Sequence, residues 1–103
     1  MSSIVQINFP YTESRAEIEN HSEEAAGRFT GVDGLVWKIW LVDEATKTAG
    51  GIYLFSTREQ AEDYAVGELV NHLKNVRDNV TVSVFDTIDG AGLVTNAPVE
   101  LLH

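Results

Sequence analysis

Residues 35–42 read LVWKIWLV. At two-residue spacing Leu35, Trp37, Ile39 and Leu41 point one way, and Val36, Lys38, Trp40 and Val42 point the other. A half-solvated antiparallel strand alternates apolar with polar residues. Here both faces are apolar apart from Lys38, so the stretch predicts a strand covered on both sides. The polar segment DEATKTA, residues 43–49, turns the chain into GGIYLF, residues 50–55, another run rich in large apolar residues. Together they predict a hairpin with a fairly long loop. The paired glycines mark a candidate bulge at the start of its second strand.

Outward from this hairpin the remaining elements follow. SIVQINF, residues 3–9, is a short alternating strand ended by Pro10, with Ile4, Gln6 and Asn8 on one face and Val5, Ile7 and Phe9 on the other. Ser14 followed by Glu17 is a capping-box pattern, and Ile18, Ala25 and Phe29 recur near helical spacing until Gly31 and Gly34 stop the helix. Residues 56–75 predict a second helix, capped by Thr57 with Gln60 or Ser56 with Glu59. Its inner stripe is Ala61, Tyr64, Ala65, Leu69, His72 and Leu73. VTVSVFD, residues 80–86, is a fourth strand, and residues 87–103 form a turn-rich C-terminal arm whose apolar end suits packing.

The order β-α-β-β-α-β is the ferredoxin-like α+β arrangement: a four-stranded antiparallel sheet with two helices on one face, in a single domain spanning residues 1–103. The second face is apolar as well. A bare apolar face of that size calls for cover, and a two-fold homodimer through the sheet faces is the simplest remedy. At 103 residues the core of one subunit is thin, so such burial also adds stability.

Composition narrows the function. Sixteen acidic residues against seven basic give a formal net charge of −9, which disfavours nucleic acid and anionic membrane surfaces as partners. There is no cysteine, so disulfides, thiolate metal sites and cysteine nucleophiles are excluded. No apolar run approaches the roughly 20 residues of a membrane span, and the N-terminus lacks the pattern of a secretory signal. The expectation is a cytoplasmic protein.

GLVWKIW, then AGGIYLF some ten residues on, then VFD in the last strand, resemble the YdhR-like putative mono-oxygenases of the dimeric α/β-barrel superfamily. The resemblance runs from VQINF to VSVFD and is most specific in the hairpin. It implies a ferredoxin-like subunit that dimerises through its sheets into a barrel, with a cleft between sheet and helices in each subunit. Relatives in the superfamily oxidise polycyclic phenols or quinones without metal or flavin, and others cleave haem. The implied activity is a cofactor-independent mono-oxygenase acting on an aromatic polycyclic or quinol-type molecule, with no cofactor. The alternatives are a small-molecule or haem-binding module without chemistry, and a ligand-free dimerisation domain.

The candidate site follows from that resemblance and from the residues. By position Asn8 resembles the strand-one asparagine that lines the cleft in several superfamily members and is a candidate catalytic residue, its amide a donor for a ligand oxyanion, while Gln6, on the same face, is a substrate-binding candidate. A buried amide without partners costs about 1–3 kcal/mol, so both need a bond, to ligand or to water and a neighbouring loop. His72, on the inner stripe of the second helix, is a candidate base near neutral pH, and lies in the region where haem-cleaving relatives place their iron ligand. The competing reading is a histidine bonded to backbone. His21 lies in an acidic helix and His103 ends the chain, so no histidine pair has metal-ligand spacing.

Trp37 and Trp40 face opposite sides, and parity alone leaves open which meets the cleft. Lys38 shares a face with Trp40, and polar residues suit a cavity rim, so Trp40 is assigned to the cleft. Tyr53, Phe55 and Tyr64 complete the substrate-binding candidates, Tyr53 meeting either a ligand or a backbone carbonyl. Phe55 matches the position where haem-cleaving relatives carry a tryptophan, a departure that counts against haem cleavage.

Overall fold

The computed structural model describes residues 2–99. The last four residues of the expected arm, including His103, therefore lie outside the described residues. Strands β1 (Ser3–Pro10), β2 (Leu35–Asp43), β3 (Thr48–Phe55) and β4 (Thr81–Asp86) form one antiparallel sheet in the order β2-β3-β1-β4. Between β1 and β2 lie helix α1 (Arg15–Ala25) and a 3₁₀ turn, Ala26–Phe29. Between β3 and β4 lie α2 (Arg58–Ala65) and α3 (Glu68–Val76), and α4 (Asp89–Val94) follows β4. This is the ferredoxin-like α+β fold.

Local chemistry sets the helix starts. Ser14 Oγ accepts from Glu17 N at 3.1 Å while Glu17 Oε1 accepts from Ser14 N at 3.2 Å, closing the capping box that opens α1. Thr57 caps α2, its hydroxyl accepting from Gln60 N at 3.2 Å. The single helix expected over residues 56–75 is two helices. Val66 N and Gly67 N bond back to Glu62 O and Tyr64 O, and Gly67 then serves as the N-cap of α3 in an extended conformation. Glycine is the weakest interior helix former after proline, and the helix breaks there.

The helix-covered face of the sheet carries Val5, Ile7, Tyr53 and Phe55, packed against Ala61 of α2 and Val70 of α3. All six are at most 4% exposed. Full burial of side chains the size of Val5 and Ile7 contributes about 1.5–3 kcal/mol each. The register places Ile4, Gln6 and Asn8 opposite Leu54, Ile52 and Gly50, on the other face. This corrects the expectation that Asn8 and Gln6 look into the cleft. Val5, Ile7 and Phe9 are the more apolar triple, and they take the face the helices bury.

Strand β2 carries a second correction. A register shift between Leu35 and Trp37 makes Val36 a bulge, so Leu35 joins the helix side with Lys38, Trp40 and Val42 instead of sharing the face of Trp37. The bulge expected at Gly50 and Gly51 is absent: pairing runs unbroken there with both neighbours. These glycines instead relieve crowding. A Cβ on Gly50 would lie 1.9 Å from Ile7 O, and one on Gly51 would lie 2.9 Å from Lys38 Cε.

The arm crosses the open face of the sheet, where Trp37 Nε1 donates to Pro98 O at 2.8 Å. Leu54, beside Trp37, is fully buried. Further along that face Ile39 and Phe85 are 47% and 55% exposed.

Candidate functional site

Strand parity delivers one set of side chains to the space between sheet and helices, and they leave a cavity of about 310 Å³. Ile7 and Phe9 of β1, Lys38 and Trp40 of β2 and Tyr53 of β3 form its floor. Ile18, Ser22 and Ala25 of α1 and Val70, Leu73 and Val76 of α3 face them. Phe29, on the turn after α1, stands edge-on to Trp40 with ring centroids 5.4 Å apart at 86°. Tyr53 bridges Phe29 and Tyr64, at 6.1 and 5.0 Å. The result is a continuous run of four rings from the β2 edge to the end of α2.

Of the residues singled out from sequence, Trp40, Tyr53, Tyr64 and His72 all line this cavity. His72 is exposed, at its rim. Phe55 lies beneath, fully buried, its ring 5.3 Å from that of Tyr64. It props the wall and does not line the cavity. Asn8 and Gln6 lie on the opposite face and bond to each other, Gln6 Nε2 donating to Asn8 Oδ1 at 3.0 Å. They are removed from the cleft by the thickness of the sheet.

Both cavity phenols are held neutral. Burial raises Tyr53 well above the usual phenol range, and its interaction with Tyr64 adds to the rise. Burial also raises Tyr64, with its hydrogen bond to Tyr53 acting against it. The O–H of Tyr53 is engaged with Tyr64, which leaves the Tyr64 hydroxyl as the donor available to a ligand.

Two charged groups of the site, Glu13 and Arg77, escaped the sequence reading, and Lys38 was read there only as a rim residue. Lys38 Nζ lies 3.2 Å from the Trp40 ring centroid, 3.7 Å from that of Phe29 and 4.6 Å from that of Tyr53. Burial pushes this amine down to about 7, while the ring faces favour its charged form. A lone lysine in an otherwise apolar strand was the available signal. Glu13, before α1, and Arg77, after α3, form a two-pronged ion pair of 2.7 and 2.6 Å that ties those two elements together at the cavity edge. Arg77 holds the Glu13 carboxyl down to about 2, and its guanidinium rests 5.0 Å from the Phe9 ring centroid. His21 Nε2 is 3.8 Å from the same carboxylate. No local sequence pattern announces a pair 64 residues apart. Among the described residues, no three His, Asp or Glu side chains gather as a metal site would require.

The family model described as putative mono-oxygenase ydhR matches residues 4–98, which takes in every strand and every wall of this cavity. The chain belongs to the ydhR family. No protein of curated function matches it significantly. Solved structures share the ydhR-family fold at low identity. A protein of unknown function from Nitrosomonas europaea superposes with a TM-score of 0.65 at 9% identity, over 84% of this chain and 89% of its own. SnoaB, a cofactor-independent oxygenase from Streptomyces nogalater, gives 0.63 at 13%, over 84% and 93%. A putative antibiotic biosynthesis monooxygenase from Deinococcus radiodurans gives 0.59 at 10%, over 84% and 92%. At such identities the likeness shows the fold alone.

Proposed function

We propose that this ydhR-family chain is a cofactor-independent mono-oxygenase acting on an aromatic polycyclic or quinol-type small molecule held between sheet and helices. The observation that carries the reading is the cavity itself: about 310 Å³, with Phe29, Trp40, Tyr53 and Tyr64 around it. That volume sits at the lower end for small-molecule sites, and the lining suits a flat ring system. Membership of a mono-oxygenase family and a shared fold with SnoaB support the reaction class.

The chemistry asks little beyond such a pocket. An anthrone loses a proton from its central CH₂ to give a delocalised anion that passes electrons to oxygen. The CH₂ becomes C=O, one oxygen atom enters the product and the other leaves as water, so the substrate itself supplies all the electrons. The rings exclude water, and the neutral phenol of Tyr64, itself accepting from Tyr53, donates to the developing oxyanion. A homodimer through the open sheet face belongs to the same reading, supported by the exposure of Ile39 and Phe85 there.

The test is oxygen uptake with 1,8-dihydroxyanthrone and a chelator present. The expected result is one O₂ consumed per anthrone, at a rate proportional to protein and above the blank. Folded protein that adds nothing to the blank rate for anthrones and hydroquinones would refute the activity.

A further inference from the structure

The cavity runs against the charge of its own protein. The chain carries sixteen acidic residues and seven basic ones. Yet three of those seven, Arg28, Lys38 and Arg77, line the cavity, with His21 and His72 at its edge. Among the described residues Glu24 is the one acidic side chain in the lining. It is exposed on α1 and accepts from Asn20 at 3.2 Å. Arg77 is neutralised by Glu13. Lys38 has no such partner: among the described residues its nitrogen meets ring faces and forms no hydrogen bond or ion pair, and desolvation alone perturbs it. Its aliphatic stem occupies the space left by the missing side chain of Gly51, whose Cβ would lie 2.9 Å from Lys38 Cε. The strand is thus shaped to hold the amine inside the ring cluster.

A half-buried ammonium set among ring faces, with part of its hydration removed and no acceptor in its place, is disfavoured, and a ligand oxygen supplies the acceptor. Phenol and enol hydroxyls on a ring system fit both halves of the site. Their rings stack on Phe29 and Trp40, and their oxygen reaches the amine. We propose that Lys38 is the counter-ion of the cavity, taking the proton of an acidic phenolic or enolic ligand and holding the resulting oxyanion as an ion pair. The step is ArOH + R–NH₂ → ArO⁻ + R–NH₃⁺, which balances without any further reactant. The charged groups facing Lys38 across the cavity do not compete for this role. Arg28 is exposed to solvent, Arg77 is paired with Glu13, His21 and His72 sit at the edge, and burial raises Tyr53 and Tyr64. The assignment deepens the mono-oxygenase reading and rests on it for the substrate, since the anion is the form of such a ring system that reacts with oxygen.

The experiment uses alizarin, whose hydroxyl changes colour on ionisation, titrated by visible absorption under nitrogen with and without excess protein. Bound to the wild type, its ionisation is expected to fall by about 1–3 pH units, as for an acid beside an opposite charge. Lys38→Met should abolish the fall and Lys38→Arg should keep it, each read at saturating protein so that a change in affinity does not enter the comparison. The proposal is overturned if the wild type binds alizarin without shifting its ionisation, if Lys38→Met shifts it equally, or if the wild type does not bind it. Melting curves accompany each variant. Should Lys38→Met fail to fold, Lys38→Gln replaces it, and failure of both would make Lys38 a structural residue and overturn the proposal. A Lys38-dependent shift without oxygen uptake from an anthrone sinks the oxygenase reading and leaves the ion pair. Unchanged oxygen uptake in a folded Lys38→Met does the reverse.

Discussion

Replacing Glu13 with Gln removes the charge from the two-pronged ion pair with Arg77 while keeping its shape. In the folded chain the Glu13 carboxyl is lowered from 4.5 to about 2, chiefly by its hydrogen bonds from Arg77. Converted at 1.36 kcal/mol per pH unit, that difference of 2.5 sets a ceiling of roughly 3.4 kcal/mol. The side chains of Glu13 and Arg77 are 20% and 22% exposed, at the surface, so solvent screening brings the expected contribution to about 1–2 kcal/mol. A depressed carboxyl stabilises the fold fully above its unfolded value and loses that contribution as pH falls through its folded value. The stability difference between wild type and Glu13→Gln should therefore be about 1–2 kcal/mol at pH 7, or roughly 4–16 °C in Tm. It should shrink from pH 4.5 downward and vanish near pH 2, where protonated Glu and Gln are equivalent to Arg77. Urea unfolding of both proteins at several pH values measures it, and taking the difference cancels the other carboxylates. A difference that stays constant from pH 7 to pH 2 would falsify the assignment of this stability to the ion pair.

Three further outcomes follow from the geometry. Asn8→Ala should leave the rate of oxygen uptake at the wild-type value, because Asn8 lies on the face away from the cavity; a large loss of rate without a loss of fold would place the reacting site elsewhere. Ile7→Glu should unfold the subunit by burying an unpaired charge in the core, whereas Phe85→Glu should leave a folded monomer, and sedimentation with circular dichroism separates these results. Gly50→Ala should cost at least about 1–3 kcal/mol, measured by urea unfolding, since its Cβ would overlap the backbone of Ile7 and force β1 and β3 apart.

Much of this molecule was legible along the chain. The order of the strands, the capping box at Ser14, the cap at Thr57, the hairpin of β2 and β3 and the family all follow from local spacing and short motifs. Local spacing encodes local hydrogen bonding, and that is why those readings were available. Trp40, Tyr53 and Tyr64 reached the cavity for a related reason: each lies on an apolar stripe whose period its backbone dictates. Even the break at Gly67 was visible, but one glycine inside a long periodic run is easily absorbed into a helix.

Facing is different in kind. Alternation says that Val5, Ile7 and Phe9 share a side, and only the packing of α2 and α3 says that it is the inner one, which sends Asn8 and Gln6 outward. The bulge at Val36 then resets the parity of β2, so that Leu35 joins Lys38 inside. The pairing of Glu13 with Arg77, and the isolation of Lys38 among rings from three separate segments, depend on contacts between residues distant in sequence. Such contacts are fixed by the burial of whole faces against one another, and a strand's own period carries no information about what will lie above it.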